Sequence, residues 1–267
     1  MTTLMLARAL LYLGLVLLLG GVFARRRLTP AHPGGRVLAG GLALLGLGVG
    51  LSVWSTLSAL GFTAPADALE YLTQTTSGWA LVVVLIGAAL MLSAELTASS
   101  AAVLLVAAGI TLWGLAGAGH GSAHGPGVRL LHAVHAGAMT VWLGGVLALA
   151  TLPSADARHA ARFTPIATAC VLTLGFTGMV ATLEHAGRLW GVWDSGYGRV
   201  LMVKLALVAL ALVSALLTRR AFARAAPVRR VLALEVALLI AVLGATATLA
   251  GTPPPAEGQM PMEMDGH

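Results

Sequence analysis

Residues 130–149, LLHAVHAGAMTVWLGGVLAL, decide the fold, because this stretch is apolar over the thickness of a bilayer and contains no Lys, Arg, Asp or Glu. His132 and His135 lie near one end of it, and Met139 and Trp142 lie deeper in. Imidazole and thioether groups inside hydrocarbon are costly or wasteful unless they bind something. The stretch therefore indicates a membrane helix that handles a metal ion.

The composition places the whole chain among integral membrane proteins. Of its 267 residues, 58% are hydrophobic and 10% are charged, and the mean hydropathy is +0.90, outside the range of soluble domains. The apolar stretches lack the alternation of barrel strands, so we expect helices. The net charge of +6 comes from short basic clusters between apolar spans, which favours the lipid bilayer over nucleic acid as a partner.

Apolar windows of about 20 residues predict an all-α transmembrane bundle of eight helices. They are Leu4–Ala24, Val37–Phe62, Gly78–Leu96, Ser100–Gly119, Val128–Leu152, Phe163–His185, Gly198–Thr218 and Val228–Gly251. The first is interpreted as a retained helix and not a signal peptide, because Arg8 interrupts it and Arg25–Arg27 follow it. We divide the chain into an N-terminal four-helix half, 1–127, a second four-helix half, 128–254, and a flexible tail, 255–267.

The basic residues predict the orientation of this bundle. Of the 16 Lys and Arg residues, 11 fall in the first, fifth and seventh connections, which therefore face the cytoplasm and leave both termini outside. The acidic residues of the opposite connections and of the tail agree with this orientation: Asp67, Glu70, Glu184, Asp194, Glu257, Glu263 and Asp265.

His132, His135 and Met139 share one face of the fifth predicted helix, at spacings of three and four residues. Imidazole suits copper or zinc, and a thioether selects Cu(I). The set therefore predicts a copper site near the outer surface. Two plainer interpretations stay open: His132 lies among lipid head groups, or His135 hydrogen-bonds a neighbouring helix.

Further candidate metal ligands lie on the same outer side. They are His120 and His124 in a Gly-rich loop, Glu184 and His185 at the end of the sixth helix, and Met260, Met262, Met264 and His267 in the tail. The loop and tail could collect an ion, and the helix end could complete the site. A solvated loop, a helix end at the water interface and a tail without ligand function account for the same residues.

Other sulfur and ionisable side chains inside the spans have plainer expected roles. Met179 and Met202 favour helix packing, and Cys170 favours a small buried hydrophobe over a Cu(I) ligand. Lys204 is expected near the outer end of its helix and Glu235 near the inner end, too far apart to pair.

The expected partners of these two groups differ. Lys204 could reach Glu184 or Asp194. Glu235 could meet one of three arginines: Arg162, Arg219 or Arg220.

Two motifs resemble those of a known family. Residues 135–145 read His, six residues, then W-x-G-G, and residues 196–205 contain YGRxLxxK. These features resemble the copper resistance protein D (CopD) family over roughly residues 128–254, and the first four helices match by topology alone. Five residues of this chain match positions of the family motifs, and the resemblance assigns no individual role to any of them: His135, Trp142, Tyr197, Arg199 and Lys204.

The resemblance implies a polytopic protein of the bacterial inner (plasma) membrane that is associated with copper uptake or resistance, often beside a periplasmic copper-binding partner. Together with the ligands, it predicts a copper transporter and not an enzyme, which accepts the copper ion outside and passes it inward. No GxxxxGK[ST] motif for ATP is present. Import or export, the copper oxidation state and the oligomeric state stay open.

Other functions remain as alternatives. A static copper-binding protein or a membrane chaperone for copper-enzyme assembly would show the same sequence. A haem-bearing electron carrier needs histidines on two helices at equal depth, and His135 has no such partner in the other spans. A structural subunit without metal is a further alternative.

Overall fold

The computed structural model describes residues 2–30, 32–62, 64–118, 125–186, 196–224 and 227–249, apart from the side chains of residues 2, 182, 184–186 and 197. Helix α1 comprises Thr2–Leu15, the π-helical turn Val16–Gly20, and Gly21–Arg27. The others are α2 Gly35–Ala59, α3 Pro65–Gln74, α4 Thr76–Leu96, α5 Ala101–Gly117, α6 Pro126–Thr151, α7 Ala157–Ala186, α8 Gly196–Ala223 and α9 Arg229–Leu249. The described residues contain no strand, which confirms the all-α prediction.

Each predicted span corresponds to a helix, although one of them is short. Within the described ranges, seven helices are long and apolar enough to cross a membrane. Helix α5 has 17 residues, which rise about 26 Å against a hydrocarbon core of about 30 Å. The count of eight spans therefore stays a prediction.

Helix α3, Pro65–Gln74, is absent from the prediction made from hydropathy. Pro65 starts it, and the Asp67 carboxylate accepts a hydrogen bond from the backbone N–H of Ala64 at 2.9 Å. None of its ten residues is buried, although Tyr71 packs on the apolar core below. A helix this short produces no window of membrane length, so hydropathy cannot find it.

The helices bury two apolar clusters, and α1 contributes to both. The first cluster joins α1, α2, α4 and α5, and Leu18 of α1 belongs to it. The second cluster joins α1 with α6, α7, α8 and α9, and includes Val16, Trp142 and Cys170. Opposite faces of α1 thus tie the first helices to the last four.

Polar contacts bring three connections to one end of the bundle. Arg25 Nε lies 2.8 Å from Glu95 Oε1, and Arg26 Nε lies 2.6 Å from Glu95 Oε2, which joins the ends of α1 and α4. His32 Nε2 lies 2.9 Å from Thr151 Oγ1 at the end of α6. The first, third and fifth connections therefore share one end, as up-and-down topology requires. The arginine pattern predicts that this end is cytoplasmic.

Helix α7 begins earlier than predicted because an aspartate caps it. Asp156 Oδ1 accepts hydrogen bonds from the backbone N–H groups of Arg158 and His159, at 2.9 and 3.1 Å. The hydrogen bond from the His159 backbone N–H contributes most to lowering the pKa of Asp156 below its usual value. Arg158 and Arg162 consequently lie in the first turns of a helix and not in a loop.

Glycines let α1 and α6 approach backbone to backbone. A Cβ on Gly144 would collide with the backbone of Gly20, and a Cβ on Gly20 would lie 2.7 Å from the Thr140 carbonyl oxygen. A Cβ on the next residue, Gly145, would collide with the Phe163 ring of α7. The two glycines of the W-x-G-G motif therefore serve helix packing, and Gly20 lies in the π-helical turn of α1.

Candidate functional site

The predicted ligand face of α6 turns toward the second apolar cluster. His132, His135 and Met139 are partly buried and Trp142 is 4% exposed. Met139 packs against that cluster. We call these four side chains the α6 row; because they are three or four residues apart, neighbours in the row lie side by side. The row extends from the first turns of α6 to the middle of the helix.

His135 is fixed by a threonine of α7. Its Nδ1 lies 2.8 Å from Thr177 Oγ1, and Thr177 Oγ1 lies 2.6 Å from the carbonyl oxygen of Thr173. A hydroxyl has one proton, and Thr177 donates it to that carbonyl, so His135 Nδ1–H is the donor to Thr177. The neutral ring therefore carries its lone pair on Nε2, which is the nitrogen that can bind a metal.

The fold brings the two sequence motifs together at this ring. Lys204 of α8 and His132 both lie within electrostatic range of His135. His135 belongs to the first motif and Lys204 to the second. The predicted acidic neighbours of Lys204, the Glu184 side chain and Asp194, lie outside the described residues.

Glu235 of α9 is buried at a second polar contact, and the prediction that it pairs with an arginine is wrong. Its Oε2 accepts a hydrogen bond from Thr218 Oγ1 at 2.8 Å, and its carboxylate lies beside the indole of Trp142. The expected partners, Arg219 and Arg220 of α8, are exposed, and Arg162 of α7 is exposed as well. Residues at consecutive positions of a helix point in different directions, so Thr218 faces α9 while Arg219 faces outward.

Helix α8 contributes a polar row of its own. Lys204, Ala211, Ser214 and Thr218 recur at spacings that place them on one helix face, and we call them the α8 row. Ala211 is fully buried, and Ser214 and Thr218 are 2% and 8% exposed. Ser214 Oγ is a buried polar atom without a hydrogen-bond partner in the described part of the chain.

Most of the accessory ligands predicted from the sequence fall outside what the structure describes. This applies to the residues or side chains of His120, His124, Glu184, His185, Met260, Met262, Met264, His267 and the motif residue Tyr197. Their metal roles stay predictions. Among the described residues, no group of three His, Cys, Asp or Glu side chains is placed to hold a metal ion.

The remaining candidates lie apart from both rows or inside the core. Met179 and Met202 are 58% and 54% exposed, so the expectation that they fill gaps between helices is wrong. Arg199 is exposed near the start of α8. Cys170 is buried in the second cluster, which fits the plainer interpretation of a small hydrophobe.

Two threonines and a serine belong to the site although sequence reasoning missed them. Thr177 and Thr218 supply the direct contacts of His135 and Glu235. Their only sequence signal is spacing, since Thr218 follows Ser214 by four residues and Thr177 follows Thr173 by four. Hydroxyl side chains are common in membrane helices, so this signal alone does not single them out.

Comparison with known proteins agrees with the motifs. The family model described as CopD, copper resistance protein D, matches residues 157–249, which comprise α7, α8 and α9 with the second motif. This confirms the family resemblance over those residues; the first motif, on α6, precedes them. No curated protein and no solved structure matches the chain.

Proposed function

We propose, on the strength of the copper resistance protein D match over residues 157–249, that this chain transports copper across the membrane and takes it up from the outer face. The match over residues 157–249 and the seven candidate spans support a multi-pass membrane protein related to copper resistance. The transport step and its direction are the proposal. In it the copper ion is the cargo, and the chain is a carrier and not an enzyme.

The hydrogen bond between His135 and Thr177 carries the proposal. Metal-binding histidines usually donate their other ring N–H to an oxygen acceptor, which fixes the tautomer and the ring orientation. The 2.8 Å contact of Nδ1 with Thr177 has this form. It supports Nε2 as the nitrogen that takes the ion.

The neighbours of His135 on the α6 row favour copper over harder ions. His132 offers a second imidazole and Met139 a thioether, and this combination of nitrogen and soft sulfur suits Cu(I). We propose these three side chains as the entry site. Glu184 and His185 at the end of α7, with the histidine loop and the tail, would extend it outward.

The direction of transport rests on the orientation of the bundle. His132 and His135 lie in the first half of α6, and the arginine pattern places the start of α6 outside. We therefore expect the ion to arrive from a periplasmic copper-binding partner. A reporter fused to the C-terminus should be active only outside the cytoplasm, and cytoplasmic activity would reverse the proposed direction.

Copper uptake into proteoliposomes tests the function directly. His135→Ala should abolish Cu(I) uptake, whereas His159→Ala should retain it, because His159 contacts Asp156 at the start of α7 and lies outside the α6 row. Uptake by His135→Ala at the wild-type rate, at equal protein abundance, would refute the role of the α6 row. A Soret band in the purified protein would instead favour the haem-bearing electron carrier.

A further inference from the structure

Glu235 is a carboxylate held deep in the second half beside two groups that can donate hydrogen bonds. It is 3% exposed, accepts a hydrogen bond from Thr218 Oγ1 at 2.8 Å, and lies beside the indole N–H of Trp142. An indole N–H is a donor only and a hydroxyl can both donate and accept, so these neighbours can hold Glu235 either as the anion or as the neutral acid.

No cation in the described residues forms an ion pair with Glu235. The ion pairs there join Arg25 and Arg26 to Glu95 and His159 to Asp156. A buried charge without a partner is costly, and an ionisable group inside a membrane span is by default functional.

The helices of the second apolar cluster, which surround Glu235, contain further titratable and charged groups. Among the described side chains they are Arg8, Tyr12 and Arg25–Arg27 on α1, Arg129, His132 and His135 on α6, Arg158, His159, Arg162 and Cys170 on α7, Arg199, Lys204, Arg219 and Arg220 on α8, and Arg229 and Arg230 on α9 itself. Lys204 precedes Thr218 on α8 by about 21 Å of helix rise, and His135 precedes Trp142 on α6 by about 10 Å. The Glu235 carboxylate thus lies inward of the entry site, next to the inner ends of both the α6 row and the α8 row.

Ser214 provides a second, independent observation. Its Oγ is buried, 2% exposed, and has no hydrogen-bond partner within the described ranges. Ser214 precedes Thr218 by one helical turn on the same face. A hydroxyl in this position can both donate and accept, so Ser214 is suited to pass a proton or hold a water molecule beside Thr218 and Glu235.

The chemistry of these donors distinguishes a proton from copper. Carboxylate and hydroxyl oxygens are hard ligands, whereas Cu(I) prefers thiolate, thioether and imidazole. The indole N–H of Trp142 cannot ligate a cation. The set Trp142, Ser214, Thr218 and Glu235 therefore fits a proton better than the transported ion.

From this geometry we propose that Glu235 is a proton-binding site whose proton is exchanged for copper, an inference that rests on the proposed transport function. The carboxylate takes one proton from water and becomes the neutral acid; it returns to the anion when that proton leaves to water on the side opposite to copper release. No electron moves. One buried carboxylate balances one positive charge. A Cu(I) ion that passes along the α6 row therefore competes with the proton on Glu235 for this negative charge, and the proton is displaced.

Proton binding is measured first without copper, by infrared difference spectroscopy of the purified protein between about pH 5 and about pH 9. We expect a carboxylic acid C=O band that Glu235→Gln removes and Thr218→Val shifts. The matched control is Glu70→Gln, which removes an exposed carboxylate of α3 and should leave the band in place. A band unchanged in Glu235→Gln, or absent from the wild type, would overturn the proton site.

Coupling is measured in proteoliposomes that contain a pH-sensitive dye. Addition of Cu(I) should move protons out as copper enters, and Glu235→Gln should lose the proton signal while Glu235→Asp retains part of it. Copper uptake by the wild type without proton movement would overturn the exchange. If the wild type takes up no copper, the transport function fails, and the infrared result still decides whether Glu235 binds a proton.

Discussion

The indole of Trp142 on α6 lies beside the buried carboxylate of Glu235 on α9. Trp142 belongs to the first sequence motif, and Glu235 lies in the closing helix of the second half. Both are nearly inaccessible, at 4% and 3% exposure. A tryptophan suits this position because it fills the apolar cluster and also offers one N–H donor.

Replacing Trp142 by Phe should therefore destabilise the protein. The ring volume is largely kept, but the polar N–H beside the buried Glu235 carboxylate is removed, which we expect to lower the free energy of unfolding by about 1–3 kcal/mol. Thermal unfolding in detergent measures the change. Trp54→Phe is the control, because Trp54 is 57% exposed on α2; equal melting temperatures for the two variants would contradict a stabilising role for the indole N–H of Trp142.

Removing the hydroxyl of Thr177 should weaken copper binding without removing a ligand. In Thr177→Val the acceptor of His135 Nδ1–H is lost, so the ring is no longer fixed in its metal-binding tautomer. We expect a decrease in Cu(I) affinity of about 10- to 100-fold, measured by competition with a chelator. Thr168→Val on the same helix is the control, since Thr168 Oγ1 bonds the Thr164 carbonyl at 2.9 Å. An equal affinity in both variants would exclude the positioning role.

A methyl group at Gly144 should disturb the contact between α1 and α6. The added Cβ collides with the backbone of Gly20, and backbone atoms cannot move aside as a flexible side chain can. We expect Gly144→Ala to cost about 1–3 kcal/mol of stability. Gly175→Ala in α7 should be neutral, because nothing lies within 4 Å of its added Cβ. A Gly144→Ala variant as stable as the wild type would contradict the need for close backbone contact between α1 and α6.

The tail should raise copper capture without being essential for transport. We predict that Met260, Met262, Met264 and His267 act as a tethered ligand set, which would increase the local copper concentration at the entrance. Deleting residues 258–267 should reduce uptake chiefly at low external copper, whereas His135→Ala abolishes it at all concentrations.

A second variant keeps the tail but replaces its three methionines by Leu. It distinguishes the loss of the thioether ligands from the loss of the tail segment itself. Both variants are compared at matched membrane abundance, since either change can act through assembly. Unchanged uptake at low copper would identify the tail as a solvated terminus.

Much of the candidate site could be read from α6 alone. His132, His135, Met139 and Trp142 share a helix, and the helical repeat fixes which side chains share a face before any tertiary contact is known. The motifs likewise led to a resemblance to the copper resistance protein D family, which the match confirms over residues 157–249. The apolar windows predicted the helices because a bilayer requires about 20 apolar residues for each span.

The partners of these residues could not be read in the same way. Glu235 was expected to meet an arginine, but it accepts a hydrogen bond from Thr218 and lies beside Trp142. Hydropathy also missed α3, which is too short to span a membrane.

The sequence by itself thus determined the membrane class, the helices and the one-helix row of His132, His135 and Met139, because hydrophobic length and helical periodicity are local properties of the chain. Only the tertiary structure decided that Thr177 fixes His135, that Gly20 and Gly144 touch, and that Glu235 meets Trp142. Such contacts depend on the rotation and depth of each helix relative to its neighbours, and packing of many side chains at once sets these.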